Sequence, residues 1–482
     1  MSVRRSLAWY LSAQVVTAAF IFGGAVAMAR LLTPIEMGIY AVAFAISGVV
    51  GIITAGGTAA YVIRERELGP GQIETAFMVN AALCVALAAA LVALSYPAAA
   101  FLGNGGVGDV MRVLALRPLL MILEFRPSAM LQRDMQFKRV SLIATTQAGV
   151  NVAGMIALAL AGFSYMSMAY ATVAASAVSA LLYNAFGREH CSLRMSVAHW
   201  RTIATFGARM LSISGVAMLA TRVSEVVMGR LLGLASLGIF TRASQISDLL
   251  YVNVYGACAR IAFVKMAQDD REAGSVHDTY RRSLEMITAL LWPALAGIAV
   301  LSYPVIQIVY GERWLGAALP LSLLMVAQMI HLAFSMSLEL FVLKDETAKQ
   351  TKLEFARAAV SLFFFTIGSL VSIGAAAAAK ITEAAFGWAL YKPHIQRLTE
   401  VASAELWGVY SRSAAATAAA IAPALLLMAW TGWSPHTPVP MIAAAVTAGV
   451  ALWLAALHWL RHPLRDEIVG FATSRMARDR SG

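Results

Sequence analysis

Polar positions along this 482-residue chain gather into short breaks between long apolar runs. About fourteen runs approach the roughly 20 residues that a helix needs to cross hydrocarbon. They lie near 7–29, 38–61, 76–97, 110–131, 140–162, 164–186, 203–229, 237–263, 284–309, 317–343, 354–373, 375–395, 411–432 and 439–460. Lipid offers no partner to a backbone amide, so such runs must satisfy their own hydrogen bonds as helices. The pattern predicts an all-α polytopic membrane protein with about 14 transmembrane helices. Arg4 and Arg5 ahead of the first run, and Ala25-Val26-Ala27-Met28-Ala29 at its end, imitate a signal peptide. The run exceeds the usual apolar core of roughly 7–15 residues, and cleavage there would cut just before a repeated motif, so it is read as helix 1.

That motif is Arg30-Leu31-Leu32-Thr33-Pro34-Ile35-Glu36-Met37-Gly38-Ile39-Tyr40, answered 200 positions later by Arg230-Leu231-Leu232-Gly233-Leu234-Ala235-Ser236-Leu237-Gly238-Ile239-Phe240. Leu94-Ser95-Tyr96-Pro97 is answered by Leu301-Ser302-Tyr303-Pro304, and Arg133-Asp134 by Lys344-Asp345, the offset growing only to 211. Three matches in one order at a nearly fixed spacing point to an internal duplication. Repeated halves around a central site are a common plan for transporters.

Composition fits immersion in lipid. Hydrophobic residues make up 60% and charged residues 13%, where a soluble domain carries about a quarter charged, and the mean hydropathy is +0.72. Abundant Ala and Gly suit close helix packing. Cys84, Cys191 and Cys258 offer no disulfide framework. The eight histidines are scattered without metal-ligand spacing, so neither a metal nor a cofactor is expected. There is no Gly-rich phosphate loop, nucleophile elbow or zinc motif. The longest polar run, Lys265 to Arg282, leaves no room for a soluble catalytic domain. The chain therefore reads as non-enzymatic.

Positive charge sets orientation in the membrane. Of 37 Lys and Arg, 25 fall at the N-terminus, in the even-numbered connections and in the tail, 3 (Arg30, Arg230, Arg313) in the odd-numbered connections, and 9 within predicted spans. Both termini are expected to be cytoplasmic. The net charge of +11 is then mostly topological, suited to the anionic cytoplasmic leaflet and membrane lipid. No basic fold motif points to nucleic acid.

The nine cations in or near spans are Arg112, Arg117, Arg126, Arg209, Arg222, Arg242, Arg260, Arg357 and Lys380, with Glu124, Glu225, Asp248, Glu285, Glu339, Glu354 and Glu383 among them. An Arg at a helix centre costs about 2.5–3.5 kcal/mol on insertion scales, so the deeper ones must meet partners or water. Arg222 with Glu225, Glu354 with Arg357, and Lys380 with Glu383 are i,i+3 and can pair on one helix face. Arg117 and Glu124, seven apart, share a face. The pairs of helices 11 and 12 read as self-neutralised packing. Helices 7 and 8 crowd Arg209, Arg222, Glu225, Arg242, Asp248 and Arg260 into two spans that carry the second copy of the motif, and these are expected to line a hydrated cavity. Helices 1 and 2 are uncharged between Leu7 and Ala29 and between Gly38 and Tyr61. If helices 1, 2, 7 and 8 face one another, Gln14, Thr17, Ser47 and Thr54 form a neutral polar wall opposite a cationic one. Such a cavity suits a cargo with an anionic head and an apolar tail.

The segment Ala29 to Tyr40 resembles the helix 1 to 2 junction of bacterial polysaccharide-transport flippases, and Arg126-Pro127-Ser128-Ala129-Met130-Leu131-Gln132-Arg133-Asp134-Met135-Gln136-Phe137-Lys138-Arg139 resembles their helix 4 to 5 junction. Both are similar to the Wzx-type branch of the multidrug, oligosaccharidyl-lipid and polysaccharide exporter superfamily. The resemblance implies two pseudo-symmetric six-helix lobes (1–187 and 203–396) joined by a cytoplasmic linker (188–202). It also implies two further helices (397–460) and a basic cytoplasmic tail (461–482). It implies alternating access in a bacterial inner membrane, carrying an undecaprenyl-diphosphate-linked glycan outward, driven by ion gradients or membrane potential. Glycan polymerase and glycosyltransferases of the same pathway would be its partners. On this reading Arg209, Arg222, Arg242, Arg260 and Arg117 attract the diphosphate or acidic sugars. Glu225, Asp248 and Glu124 are the ion-coupling residues. Arg30 and Arg230, at helix ends, read as structural.

Three other classes are weighed. A drug or cation antiporter of the same superfamily would favour acid over base in its site, and helices 1 and 2 carry no carboxylate. A glycosyltransferase or glycan polymerase would need a sizeable outer loop or an acidic cytoplasmic domain. An assembly scaffold would show fully paired span charges and no cavity.

Overall fold

The computed structural model describes residues 3–52, 57–65, 68–192 and 194–465. Among these the regular structure is helical, without a strand, and the chain divides into two compact units, Met1–Gly238 and Ile239–Gly482.

The first unit contains α1 (Val3–Leu31), α2 (Pro34–Gly51), α3 (Thr58–Arg64), α4 (Pro70–Leu102), α5 (Gly105–Leu114), α6 (Leu116–Arg133), α7 (Phe137–Leu160), α8 (Met166–Phe186), α9 (Trp200–Leu231) and the start of α10 (Leu234–Leu250). Local sequence sets several of these ends. Pro34 opens α2 behind Thr33, whose hydroxyl accepts from Glu36 N at 3.4 Å while Glu36 Oε2 accepts from Thr33 N at 2.7 Å, a reciprocal cap that satisfies two orphan amides. Gly103, at φ +67°, closes α4, and Asn104 caps α5 by accepting from Gly106 N at 2.9 Å. α7 packs between α1 and α8, α6 between α4 and α8, and α9 against α2 and α4.

The second unit continues α10 through a π-helical turn, Tyr251–Tyr255, into α11 (Gly256–Ala273). It then runs through α12 (His277–Val300), α13 (Ser302–Val309), α14 (Ala318–Ala333), α15 (Ser337–Leu343), α16 (Thr347–Ser369), α17 (Ile373–Thr399), α18 (Ser403–Trp430) and α19 (Val439–Trp459). α17 packs on α14 and α16, and α18 on α12 and α19.

The described parts of the apolar runs fall mostly on helix, but several runs are interrupted, and that at 38–61 crosses residues 53–56, which lie outside the described residues. The run at 110–131 breaks at Ala115, that at 284–309 at Leu301, and that at 317–343 around Met336, whose φ is +60°. Among the described residues, eight helices are long and apolar enough to cross a membrane. The fold is that of an all-α polytopic membrane protein.

The repeated motifs occupy matching structural positions. Gly38 lies so close to the backbone of α10 that a Cβ there would collide with the Leu234 carbonyl, and a Cβ on Gly238 would collide with the Pro34 carbonyl. Each copy of the motif thus supplies the glycine that admits the other's carbonyl. Arg133 donates to Val62 O at 2.7 Å and Glu65 O at 2.6 Å, holding the end of α3. Its counterpart Lys344 donates to Asp270 Oδ1 at 2.6 Å near the end of α11. Nearby, a bond from Arg397 holds the half-buried Glu346 carboxyl below its usual value of 4.5.

Candidate functional site

The first unit holds a cavity of about 300 Å³ between α2, α4, α6 and α9. That volume is at the lower end of ligand-binding clefts, which run from roughly 300 to 1,000 Å³. α2 contributes Phe44, Ser47, Gly48 and Gly51, spaced so that they share one helical face. α4 adds Leu87 and Leu91, and α6 adds Arg117 and Met121. From α9 come Met218 and Arg222, four residues apart on the same face. The walls are apolar apart from Ser47 and two guanidinium groups.

Arg222 is held from three sides. Its NH1 donates to Glu225 Oε2 at 2.9 Å and Oε1 at 3.2 Å. Its guanidinium lies 5.3 Å from the centre of the Phe44 ring, a cation–π distance. A Cβ on Gly48 would stand 3.0 Å from Arg222 Nε, so any larger residue there would press the guanidinium aside by a few tenths of an ångström. Nε itself is buried without a hydrogen-bond partner. Ser47 turns its hydroxyl to Ala43 O at 2.8 Å. Arg117, on the α6 wall, is within electrostatic reach of Glu124, which lies beside Ser179 of α8.

The structure therefore gathers Arg117, Arg222 and Glu225 about one cavity, with Ser47 from the neutral wall that the sequence suggested. Glu124 stands behind Arg117 rather than in the lining. Thr17 pairs with Thr145 of α7 at 3.2 Å. Gln14 is exposed. Thr54 and the side chain of Arg209 lie outside the described residues. Arg242, Asp248 and Arg260 belong to the second unit, where Arg242 is buried near Tyr310 and the other two are exposed. Phe44 was not singled out from sequence. The signal was present in its spacing four residues before Gly48, but an aromatic in an apolar run is ordinarily lipid-facing or packed.

The carboxylates of helices 11 and 12 are less local than their spacing implied. Glu354 and Arg357 pair on α16, but Arg357 also reaches Glu383 of α17 at 2.6 Å. Lys380 donates to Ser361 of α16 at 3.0 Å.

Residues 27–319, more than half of the chain, match the family described as polysaccharide biosynthesis protein. The chain belongs to that family. It is 24% identical over 311 residues to the lipopolysaccharide biosynthesis protein WzxC of Escherichia coli (strain K12), covering 63% of this chain and 62% of that protein. It is 24% identical over 320 residues to the succinoglycan biosynthesis transport protein ExoT of Rhizobium meliloti (strain 1021), covering 65% and 63%. The match thus spans less than two thirds of the length of each relative. In fold it is similar to the lipid II flippase MurJ in an inward closed conformation, with a TM-score of 0.74 at 12% identity, covering 95% of this chain and 99% of that one.

Proposed function

We propose that this protein is a flippase that moves a lipid-linked oligosaccharide or polysaccharide precursor, carried on undecaprenyl diphosphate, from the inner to the outer leaflet by alternating access. The observation that carries this reading is the cavity holding Arg117 and Arg222 in apolar walls. Two guanidiniums suit a diphosphate, because each presents a fixed fork of donors to phosphate oxygens. The apolar lining from Leu87, Leu91, Met121 and Met218 suits a lipid chain. No carboxylate is among the lining residues, and Glu225 is engaged by Arg222. This favours an anionic cargo over the organic cation of a drug antiporter.

The family and relatives support a place in glycan assembly, with glycosyltransferases supplying the cargo and a polymerase receiving it. The setting is a bacterial plasma membrane with both termini cytoplasmic, and the six-helix lobes at 1–187 and 203–396 move against each other. Transport, rather than bond making, is the chain's task.

The test is made in cells that depend on this gene for a surface glycan. Arg117→Ala alone, and Arg222→Gln paired with Glu225→Gln to avoid stranding the carboxylate, should accumulate lipid-linked glycan on the cytoplasmic side at unchanged membrane abundance. Each lost charge-assisted bond is worth about 1.5–3 kcal/mol, so export should fall about tenfold or more. Wild-type export by both stably expressed variants would refute the cavity's role.

A further inference from the structure

The second unit buries a cluster of ionisable groups that this cavity does not use. His331, near the end of α14, places Nε2 3.2 Å from Glu383 Oε1 of α17 and 3.2 Å from Arg357 NH1 of α16. Arg357 NH1 donates to the same Glu383 oxygen at 2.6 Å, and its NH2 pairs with Glu354. Tyr391 donates to Glu354 Oε2 at 3.0 Å. The Glu383 side chain is 5% exposed and that of His331 17%.

The two contacts of His331 Nε2 are chemically exclusive. A guanidinium only donates and a carboxylate only accepts. Without a proton, Nε2 can accept from Arg357. With one, as the neutral Nε2–H tautomer or as the imidazolium that proton uptake makes, it donates to Glu383 and meets the guanidinium donor to donor. Charge points the same way. Tyr251, at the start of the π-helical turn, lies within electrostatic reach of Arg357, Glu339, Glu354 and Glu383, and Lys380 within reach of Glu383. Three carboxylates against the two cations Arg357 and Lys380 leave a formal charge of −1, which a proton on His331 cancels. α12, also packed on α14, faces this region with Trp292, whose Nε1 donates to Met329 O at 2.9 Å.

The cluster is also mechanically placed. The His331 ring is 5.5 Å from Phe334, which stacks on Tyr391 at 5.5 Å. Tyr251 stacks on Tyr255 at 4.8 Å, and the Tyr255 hydroxyl accepts from Met336 N at 2.9 Å. Met336, at φ +60°, is the bend between α14 and α15. Arg357 and Glu383, the partners of His331, thus lie within electrostatic reach of the π-turn, and its ring neighbour Phe334 lies two residues before the bend, two irregular points where helices yield most readily.

We propose that His331, held between Arg357 and Glu383, is the proton-binding site through which cargo movement is coupled to a proton gradient. The coupling role rests on the transport reading above, whereas the proton site does not. In the cycle a proton enters on Nε2 from one side, the Arg357 contact opens as the Glu383 contact forms, and the proton leaves to the other side.

Two measurements on the purified full chain separate these layers. Infrared difference spectra on acidification, needing no cargo, should show an imidazole contribution that is lost in His331→Gln above the background of the seven other histidines; a difference spectrum unchanged in that variant would overturn the site. In liposomes, flipping of a fluorescent undecaprenyl-diphosphate sugar should accelerate severalfold under an imposed proton gradient. His331→Gln and Glu383→Gln should retain gradient-independent flipping and lose the acceleration. Equal acceleration in the variants, or none in the wild type, overturns the coupling while leaving the flippase reading intact. A wild type that does not flip the probe but shows the imidazole band keeps the proton site and sinks the flippase reading.

Discussion

Arg222 illustrates what a residue's type and spacing reveal and what they hide. Its pairing with Glu225 follows from the i,i+3 interval and is realised at 2.9 Å. Because the Glu225 side chain is only 19% exposed, Arg222→Ala should destabilise the protein by about 1–3 kcal/mol through loss of the charge-assisted bonds to that carboxylate. The paired change Arg222→Gln with Glu225→Gln should be close to neutral, read as the midpoint of thermal unfolding in detergent. Equal losses in the two variants would show that the ion pair does not set stability there. The meeting of Arg222 with Arg117 was not legible, since 105 positions separate them and only the packing of α6 and α9 around α2 and α4 brings them to one cavity. His331 was passed over for a related reason. A lone histidine in an apolar run carries no local signal, and its significance comes from Arg357 and Glu383 on two other helices.

At the scale of elements, hydropathy marked the apolar stretches that became helix and misjudged where the helices begin and break among the described residues. An apolar run reports the environment of the side chains and is silent about the backbone at Ala115, Leu301 or Met336, where composition does not change. The repeat supplied what hydropathy lacked, because the motif copies turned out to touch. Gly38→Ala and Gly238→Ala each force a Cβ into a backbone carbonyl that cannot rotate away. Each should cost about 1–3 kcal/mol or more by overpacking. The double variant should cost less than the sum, since one separation of α2 from α10 relieves both clashes. A double-mutant cycle on unfolding checks this, and strict additivity would mean the two contacts are independent.

For the whole molecule, the sequence made the membrane class plain through composition alone, and the family through two helix junctions. Orientation rests on the 25 to 3 distribution of cations between the two sets of connections. A fluorescent protein fused after Gly482 should therefore fluoresce, and a periplasmically active phosphatase at the same point should be inactive. The reverse result would invert the topology. What the sequence left open was the division of labour. The cation-lined cavity lies in the first unit and the histidine cluster in the second, while the sequence had placed the candidates for cargo and coupling on helices 7 and 8 together with Arg117 and Glu124 of helix 4.

The crossing at Gly38 and Gly238 also bears on ancestry. Residue 38 meets 234 while residue 238 meets 34, which is how a surface patch meets its own image in a symmetric homodimer. A half-length ancestor could have made this contact with a second copy of itself. After fusion the two glycines would remain a joint constraint that neither copy escapes alone. Positions outside it carry no such joint constraint, and there the two copies differ, one helix pair being neutral where the other is charged.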